Sequence, residues 1–237
     1  MRPDIVVIGG GTVGAAIAYG LARRQQKVLL LDGDDGDFRA ARANFGLVWL
    51  QGKGLGMPAY QALTRDSIAL WRGLTDQLEA ETAIDLTYEQ NGGLAFCLGE
   101  EAYEKRKLDL LRLHNQRGDG EPDWEMLDRP ALQRLLPKVT LGPDVAGASF
   151  GRRDGHANPL RLLAALHAGV LRHGGALRHR ARVLRIERAG TDFRLMLDGE
   201  TLVAPRIVIA AGLGSPELAR QVGLDVPLRP ERGQVLV

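Results

Sequence analysis

Cysteine is almost absent: among 237 residues there is one, Cys97, so no disulfide can close within the chain, which points to a reducing compartment. No His or Cys cluster at ligand spacing accompanies it, and no metal site is expected. Net charge is nearly missing too. With 31 Lys and Arg against 29 Asp and Glu the formal charge is +2, and the basic residues are scattered, which argues against nucleic acid or an anionic membrane surface as a partner. There is no internal repeat, no low-complexity tract and no Ser-His-Asp or paired-carboxylate constellation. Long apolar runs are confined to one place. Arg2 followed by the mostly apolar Ile5 to Ala22 resembles a signal peptide or a short membrane span, but fixed glycines inside it and a second apolar strand after it argue against both.

That stretch reads IVVIGGGTVGAAIAYGLARRQQKVLLLD, residues 5–32. The run Ile5–Ile8 suits a strand buried on both faces, and it ends in G-x-G-x-x-G, with glycines at 9, 11 and 14. Val13, Ile17 and Leu21 then recur at helical spacing, and Val28–Leu31 forms a second apolar strand that stops at Asp32. The pattern is a complete βαβ unit. Gly9 is expected to allow a tight turn, Gly11 to let a pyrophosphate approach the main chain, and Gly14 to let helix and strand pack closely. The helix start at Thr12 and Val13 offers N–H groups and a partial positive charge to phosphates. Asp32 is positioned to accept hydrogen bonds from ribose hydroxyls and would repel a 2′-phosphate, favouring FAD or NAD over NADP.

After Asp32 an NAD-binding domain would continue promptly into another βα unit, but GDDGDFRAARANFGLVW is a polar, glycine-containing loop. Its segment from Arg39 to Gly46 mixes small residues, two arginines and Asn44, a composition able to carry N–H groups and cations toward phosphate. Helical spacing follows over 59–83, a strand pair is expected at Leu86–Tyr88 and Gly93–Leu98, and a helix at 100–115. Asp128 is expected to cap a short helix with Pro130 in its first turn, and Val145–Phe150 reads as a strand. Cys97, in an apolar strand-like run, reads as a buried small hydrophobe or a reactive thiol. In GRRDGHANP, Asn158 and Pro159 are expected to open a helix that runs to Gly174. Short alternating runs at 183–186, 193–197 and 202–203 suggest an antiparallel meander, and Ile207–Ala211 reads as a further parallel strand of the first sheet. The fold class is therefore α/β: a discontinuous Rossmann-like nucleotide domain with a β-meander, 1–52 and 151–223, plus an inserted α+β domain, 53–150 and 224–237. The closing PLRPERGQVLV reads as a strand in a domain that is incomplete, its C-terminal part missing.

The order GGGTVG, Asp32, RAARANFG, DGHANP, a Val183-containing strand, IVIAAGLGS and RPERGQVLV resembles the FAD-dependent D-amino-acid oxidase, glycine oxidase and sarcosine oxidase family, over essentially the whole chain. The Asn44–Leu47 loop and the DGHANP turn are similar to those of flavin subunits of bacterial amino-acid dehydrogenases such as D-hydroxyproline dehydrogenase, hydrogen cyanide synthase and opine oxidase. The resemblance implies that Gly9, Gly11, Thr12, Val13 and Gly14 hold the FAD pyrophosphate and that Asp32, where the family more often has Glu, holds the adenosine ribose. It implies that Ala41, Arg42, Asn44, Phe45, Gly46 and Leu47 run under the pyrophosphate and flavin, although the family usually has Ser or Thr near 40 and 41. Val183 would reach the adenine through its backbone, Ala211 and Gly212 would pass close to the cofactor, and Arg232, Gly233 and Gln234 would cross back to the substrate domain. It also implies oxidation of the C–N bond of a D-amino acid, glycine or cyclic secondary amino acid such as D-hydroxyproline, by hydride transfer to flavin N5. Partner subunits or a respiratory electron acceptor would take the electrons, in the cytoplasm or at the inner membrane through a partner.

His156, in DGHANP, is the one titratable candidate near such a site, as a catalytic group or as a polar turn residue; His114, His167, His173 and His179 read as surface or boundary residues. Tyr60 and Trp49 read as core or as pocket lining. Three rivals remain: an NAD-dependent dehydrogenase, a flavin hydroxylase suggested by Asp154-Gly155, and a non-catalytic remnant that binds nucleotide or a partner.

Overall fold

A computed structural model describes residues 2–33, 40–118 and 120–231. In chain order its elements are β1 (Ile5–Ile8), α1 (Thr12–Arg23), β2 (Val28–Leu31), β3 (Leu47–Val48), α2 (Pro58–Thr82), β4 (Gly93–Leu98), α3 (Glu100–Arg117), β5 (Trp124–Asp128) and α4 (Arg129–Leu135). Then come β6 (Val145–Gly151), β7 (Gly155–His156), α5 (Pro159–Arg172), β8 (Ala176–Arg178), β9 (Arg185–Ala189), β10 (Asp192–Met196), β11 (Thr201–Ala204), β12 (Ile207–Ile209) and α6 (Ser215–Arg220). The chain divides into two units, one of Met1–Phe45, Asp76–Leu86 and Asn158–Val237, the other of Gly46–Thr75 and Thr87–Ala157.

In the first unit a parallel sheet has the order β12-β1-β2-β8. Val6, Ile8, Leu29 and Leu31 share one face and pack with Ile186, Leu195, Leu197 and Ala204 of the antiparallel β9-β10-β11 meander. Alternation turns Val7 and Leu30 to the other face, where α1 and α5 lie. Both strands are therefore covered on both faces, as their unbroken apolar sequence requires. The buried stripe of α1, Gly14, Ala15, Ala18, Tyr19 and Ala22, is mostly small, so the helix can sit close. Gly169 of α5 faces the Tyr19 ring so closely that a Cβ there would lie 2.7 Å from it. Asn158 caps α5, its Oδ1 accepting from the N–H groups of Leu160 and Arg161, with Pro159 next in the first turn.

In the second unit β6 lies between β4 and β5 in an antiparallel sheet, with α3 and α4 packed on it, and β3 pairs with β7. The side chain of Asp128 accepts from Ala131 N–H and so caps α4. Val48, Leu50, Ile68, Tyr88 and Ala157 form a second core, with Trp71 stacked on Tyr88.

Two expectations need correction. Residues 86–88 form no strand with β4; the partner of β4 is β6, in a register from Gly93↔Gly151 to Leu98↔Val145. Val183 lies ahead of β9 rather than within a strand. Four strands, β3, β5, β7 and β8, have no counterpart among the expected elements, whereas Ile207–Ile209 does return as a parallel strand of the first sheet, paired with β1. The expected crossing at Arg232, Gly233 and Gln234, the rest of the strand-like ending from 235 on, and Arg39 lie outside the described residues, and residues 227–231 of that ending form no strand. No helix among the described residues is long and apolar enough to cross a membrane.

Candidate functional site

Three chain segments of the first unit leave the parallel sheet at the carboxyl ends of adjacent strands: Gly9 after β1, Asp32 after β2 and Ala210 after β12. In open parallel sheets this is the edge where ligands bind. Gly9 has φ +108°, and a Cβ on it would collide with the Ala210 carbonyl; a Cβ on Gly14 would collide with the carbonyl of Gly9. Both glycines are demanded by the fold itself. Gly10 is demanded by Asp32, whose Cβ and Cγ would lie 2.7 Å from an added methyl.

Gly11 has no such reason. Its φ of −71° and ψ of −179° suit any residue, and the nearest atom to an added Cβ would be the Ala41 Cβ at 3.6 Å, an ordinary contact. Neither backbone strain nor a neighbour among the described residues calls for glycine there. Gly11 is also the N-cap of α1, which no side chain caps and whose first turn carries no acid. The first-turn N–H groups of a helix have no intrahelical acceptor, and the dipole adds partial positive charge. Bare main chain beside an uncapped helix start fits the pyrophosphate of a dinucleotide.

Asp32 is only 5% exposed. Its backbone is pinned by Asp32 N–H to Arg178 O at 2.9 Å and Ala181 N–H to Asp32 O at 2.7 Å, while Gly10 N–H donates to its Oδ1 at 3.1 Å. A carboxylate held against the glycine loop suits the ribose that adjoins a pyrophosphate. Above Gly11, the Asn44 amide donates to the carbonyls of Ala40 at 2.9 Å and Ala41 at 3.2 Å, closing the turn that carries Ala41. Val13 is 68% exposed and Phe45 60% exposed. Arg42 is also exposed, Thr12 is half-buried as the first residue of α1, and Ala211 and Gly212 form the turn after β12, with Gly212 at φ +56°. The Val183 side chain is buried with the meander core.

The remaining sequence candidates, Gly46, Leu47 and His156, belong to the second unit. There Leu47 pairs with His156, the Gly46 carbonyl accepts from Ala157 N–H at 2.9 Å, and the His156 main chain exchanges hydrogen bonds with Glu89 while its side chain is exposed. Trp49 packs against Gly93, and Tyr60 is exposed. Cys97 is buried, and burial pushes its thiol up, as suits an inert core residue. A cavity of about 40 Å³ lies among Gln51, Arg65, His114, Arg117 and Asp154, too small for an amino acid.

Two residues escape sequence reasoning. Gly10, the middle of three glycines and outside the G-x-G-x-x-G spacing, joins Asp32 to the loop. His167 of α5 places its Nε2 2.8 Å from the Gly10 carbonyl, with the His179 ring 5.9 Å away. Burial is the main force holding the His167 imidazole below the usual histidine value, against the Gly10 carbonyl and the Asp32 charge. The run GGG is a signal for Gly10; no local signal marks His167.

Among known proteins, the chain is 43% identical over 235 residues to one subunit of the opine oxidase of Rhizobium meliloti, covering 99% of this chain and 62% of that protein. It is 28% identical over 237 residues to glycine oxidase of Geobacillus kaustophilus, covering 100% of this chain and 61% of the relative. The crystal structure of glycine oxidase from Geobacillus kaustophilus superposes with a TM-score of 0.82 at 30% identity, over 94% of this chain and 59% of that one. The chain thus spans about three fifths of the length of these relatives. Residues 4–237 match the family model described as FAD dependent oxidoreductase, and with the dinucleotide-binding geometry of its first unit the chain belongs to that family.

Proposed function

We propose that this chain serves an FAD-dependent oxidation of the C–N bond of an amino acid: a D-amino acid, glycine, or a cyclic secondary amino acid such as D-hydroxyproline. The observation that carries this reading is Gly11, a glycine that neither its backbone nor any neighbour among the described residues requires, at the uncapped start of α1. When bound, FAD supplies the hydride acceptor. The N–H groups of Gly11, Thr12 and Val13 and the α1 dipole hold its pyrophosphate. Asp32 accepts from the ribose hydroxyls. The turn from Ala41 to Leu47 runs along the pyrophosphate and flavin, Val183 meets the adenine through its main chain, and Ala211 and Gly212 lie close to the cofactor. The first unit is the FAD-binding domain, and the second belongs to the substrate side.

The relatives named for glycine and opine oxidation support an amino-acid substrate class. The 43%-identical relative is one subunit of a larger oxidase, which supports a partner subunit that receives electrons. A single buried cysteine supports a reducing, cytoplasmic setting, with any membrane association made through a partner.

The test is to purify the chain, record its visible spectrum and identify the released cofactor by chromatography. FAD near one equivalent is expected in wild type, and its loss is expected in Gly11→Glu, whose carboxylate would occupy and repel the pyrophosphate position. A Gly11→Glu chain with full FAD content would overturn the site.

A further inference from the structure

Among the described residues, the Gly10–Gly11 peptide is held at its carbonyl by His167. Its carbonyl accepts from His167 Nε2 at 2.8 Å, and since a carbonyl can only accept, the imidazole carries its proton on Nε2. This peptide is trans, so the N–H of Gly11 points opposite to the Gly10 carbonyl, away from His167. The preceding peptide is fixed separately, by Gly10 N–H on Asp32 Oδ1. Between two glycines there is no Cβ to resist a peptide flip. A flip would turn a carbonyl oxygen, with its partial negative charge, to the side where Gly11 N–H now points.

We infer that His167 is a positioning residue for the cofactor: by hydrogen bonding the Gly10 carbonyl it fixes the peptide plane that presents Gly11 N–H to the dinucleotide phosphate. The inference rests on the assignment of FAD to this loop. His167 does not touch the cofactor; it acts through one peptide, from a helix far away in sequence. The neighbouring His179 ring, in an edge arrangement, limits the space in which the imidazole can turn.

The experiment compares wild type, His167→Leu and His167→Gln as full chains, stripped of flavin and titrated with FAD. Gln can return an N–H donor to the same carbonyl, whereas Leu cannot. His167→Leu is expected to bind FAD about tenfold more weakly, the loss of one net hydrogen bond, and His167→Gln within about threefold of wild type. The phosphorus-31 resonances of bound FAD should move in the Leu protein and stay in place in the Gln protein. Melting of the flavin-free chains separates positioning from structure, because a merely structural role would lower both variants together and leave the phosphorus resonances alike. Equal FAD affinity in wild type and His167→Leu would overturn the inference while leaving the FAD assignment standing. A folded wild-type chain with no affinity for FAD would overturn both.

Discussion

Gly10 and Gly11 are neighbours in one loop, yet they answer to different partners, and substitution separates them. In Gly10→Ala the new methyl would meet Asp32 Cβ and Cγ at 2.7 Å, so the loop or the acid must move. Overpacking of this kind costs about 1–3 kcal/mol, and the melting temperature of the flavin-free chain should fall. In Gly11→Ala the methyl meets, among the described residues, only Ala41 at 3.6 Å, on a backbone that alanine adopts freely. The flavin-free chain should melt as wild type or slightly higher, because alanine narrows the unfolded ensemble, while FAD affinity falls. Calorimetry and FAD titration on the two variants read both quantities. If Gly11→Ala lowered stability as much as Gly10→Ala, the fold and not the ligand would be the reason for glycine at 11. The spacing of Gly9, Gly11 and Gly14 and the acid after β2 were legible because one local βαβ unit contains them all. His167 was not, since its partner is 157 positions away and helical spacing around it reads only as an amphipathic surface.

Helices α1, α2 and α5 meet at a single carboxylate. Glu81, near the end of α2, receives Tyr19 Oη–H from α1 at 2.7 Å and Gln77 Nε2–H at 2.7 Å, with His173, just past α5, at 3.0 Å. Burial alone would raise the Glu81 carboxyl, but these hydrogen bonds outweigh it and bring it from 4.5 to about 2. A carboxyl depressed in the folded state contributes stability above its unfolded value and loses it as pH falls through the folded one. The contribution is therefore complete at neutral pH and disappears between about 4.5 and about 2. Tyr19→Phe should cost about 1.5–3 kcal/mol at pH 7, the range for a hydrogen bond to a charged group. Thermal melts from pH 7 to 2 should show the gap between the two proteins narrowing across that window; a gap independent of pH would mean Glu81 is not the acceptor that matters. At this scale the sequence was readable where an element's signals are its own, as in Asn158-Pro159 opening α5 and Asp128 capping α4. It misled where pairing is distant. Gly93–Leu98 reads as half of a hairpin with 86–88, but its partner strand begins at Val145 and the alternation of one strand does not name another. The three-residue β8 has no alternation long enough to register.

At the scale of the whole molecule, on the acid side of the stability curve, Asp154 runs opposite in sense to Glu81, Asp109 and Glu200, whose carboxyls are all held down. In the second unit Asp154 is fully buried, and its Oδ1 accepts from the N–H groups of Leu50 and Gln51. Burial raises its carboxyl above the ordinary 3.8, against those hydrogen bonds and the Arg106 charge. A raised acid binds more protons folded than unfolded, so its share of stability falls as pH rises through 3.8 and levels off above the folded value. Asp154→Asn keeps an amide oxygen for Leu50 and Gln51 but removes that decline. Urea unfolding at pH 4 and pH 7 should show the Asn protein gaining on wild type toward pH 7; a constant difference would mean the carboxyl titrates normally. The α/β class and the late return of a parallel strand were legible at this scale, because β1, β2 and β12 are all unbroken apolar runs. The pairing of Val6 with Ile207 and of Val7 with Val208 has a further consequence, for the order of events during synthesis. At about 5–20 residues per second, β1 waits roughly 10–40 s for the strand that completes its outer side. Over that interval the ribosome holds a chain whose β1 has an open apolar flank, although β4, β5 and β6 of the second unit have already emerged. Chaperone occupancy on ribosome-bound chains should therefore persist until β12 has cleared the exit tunnel.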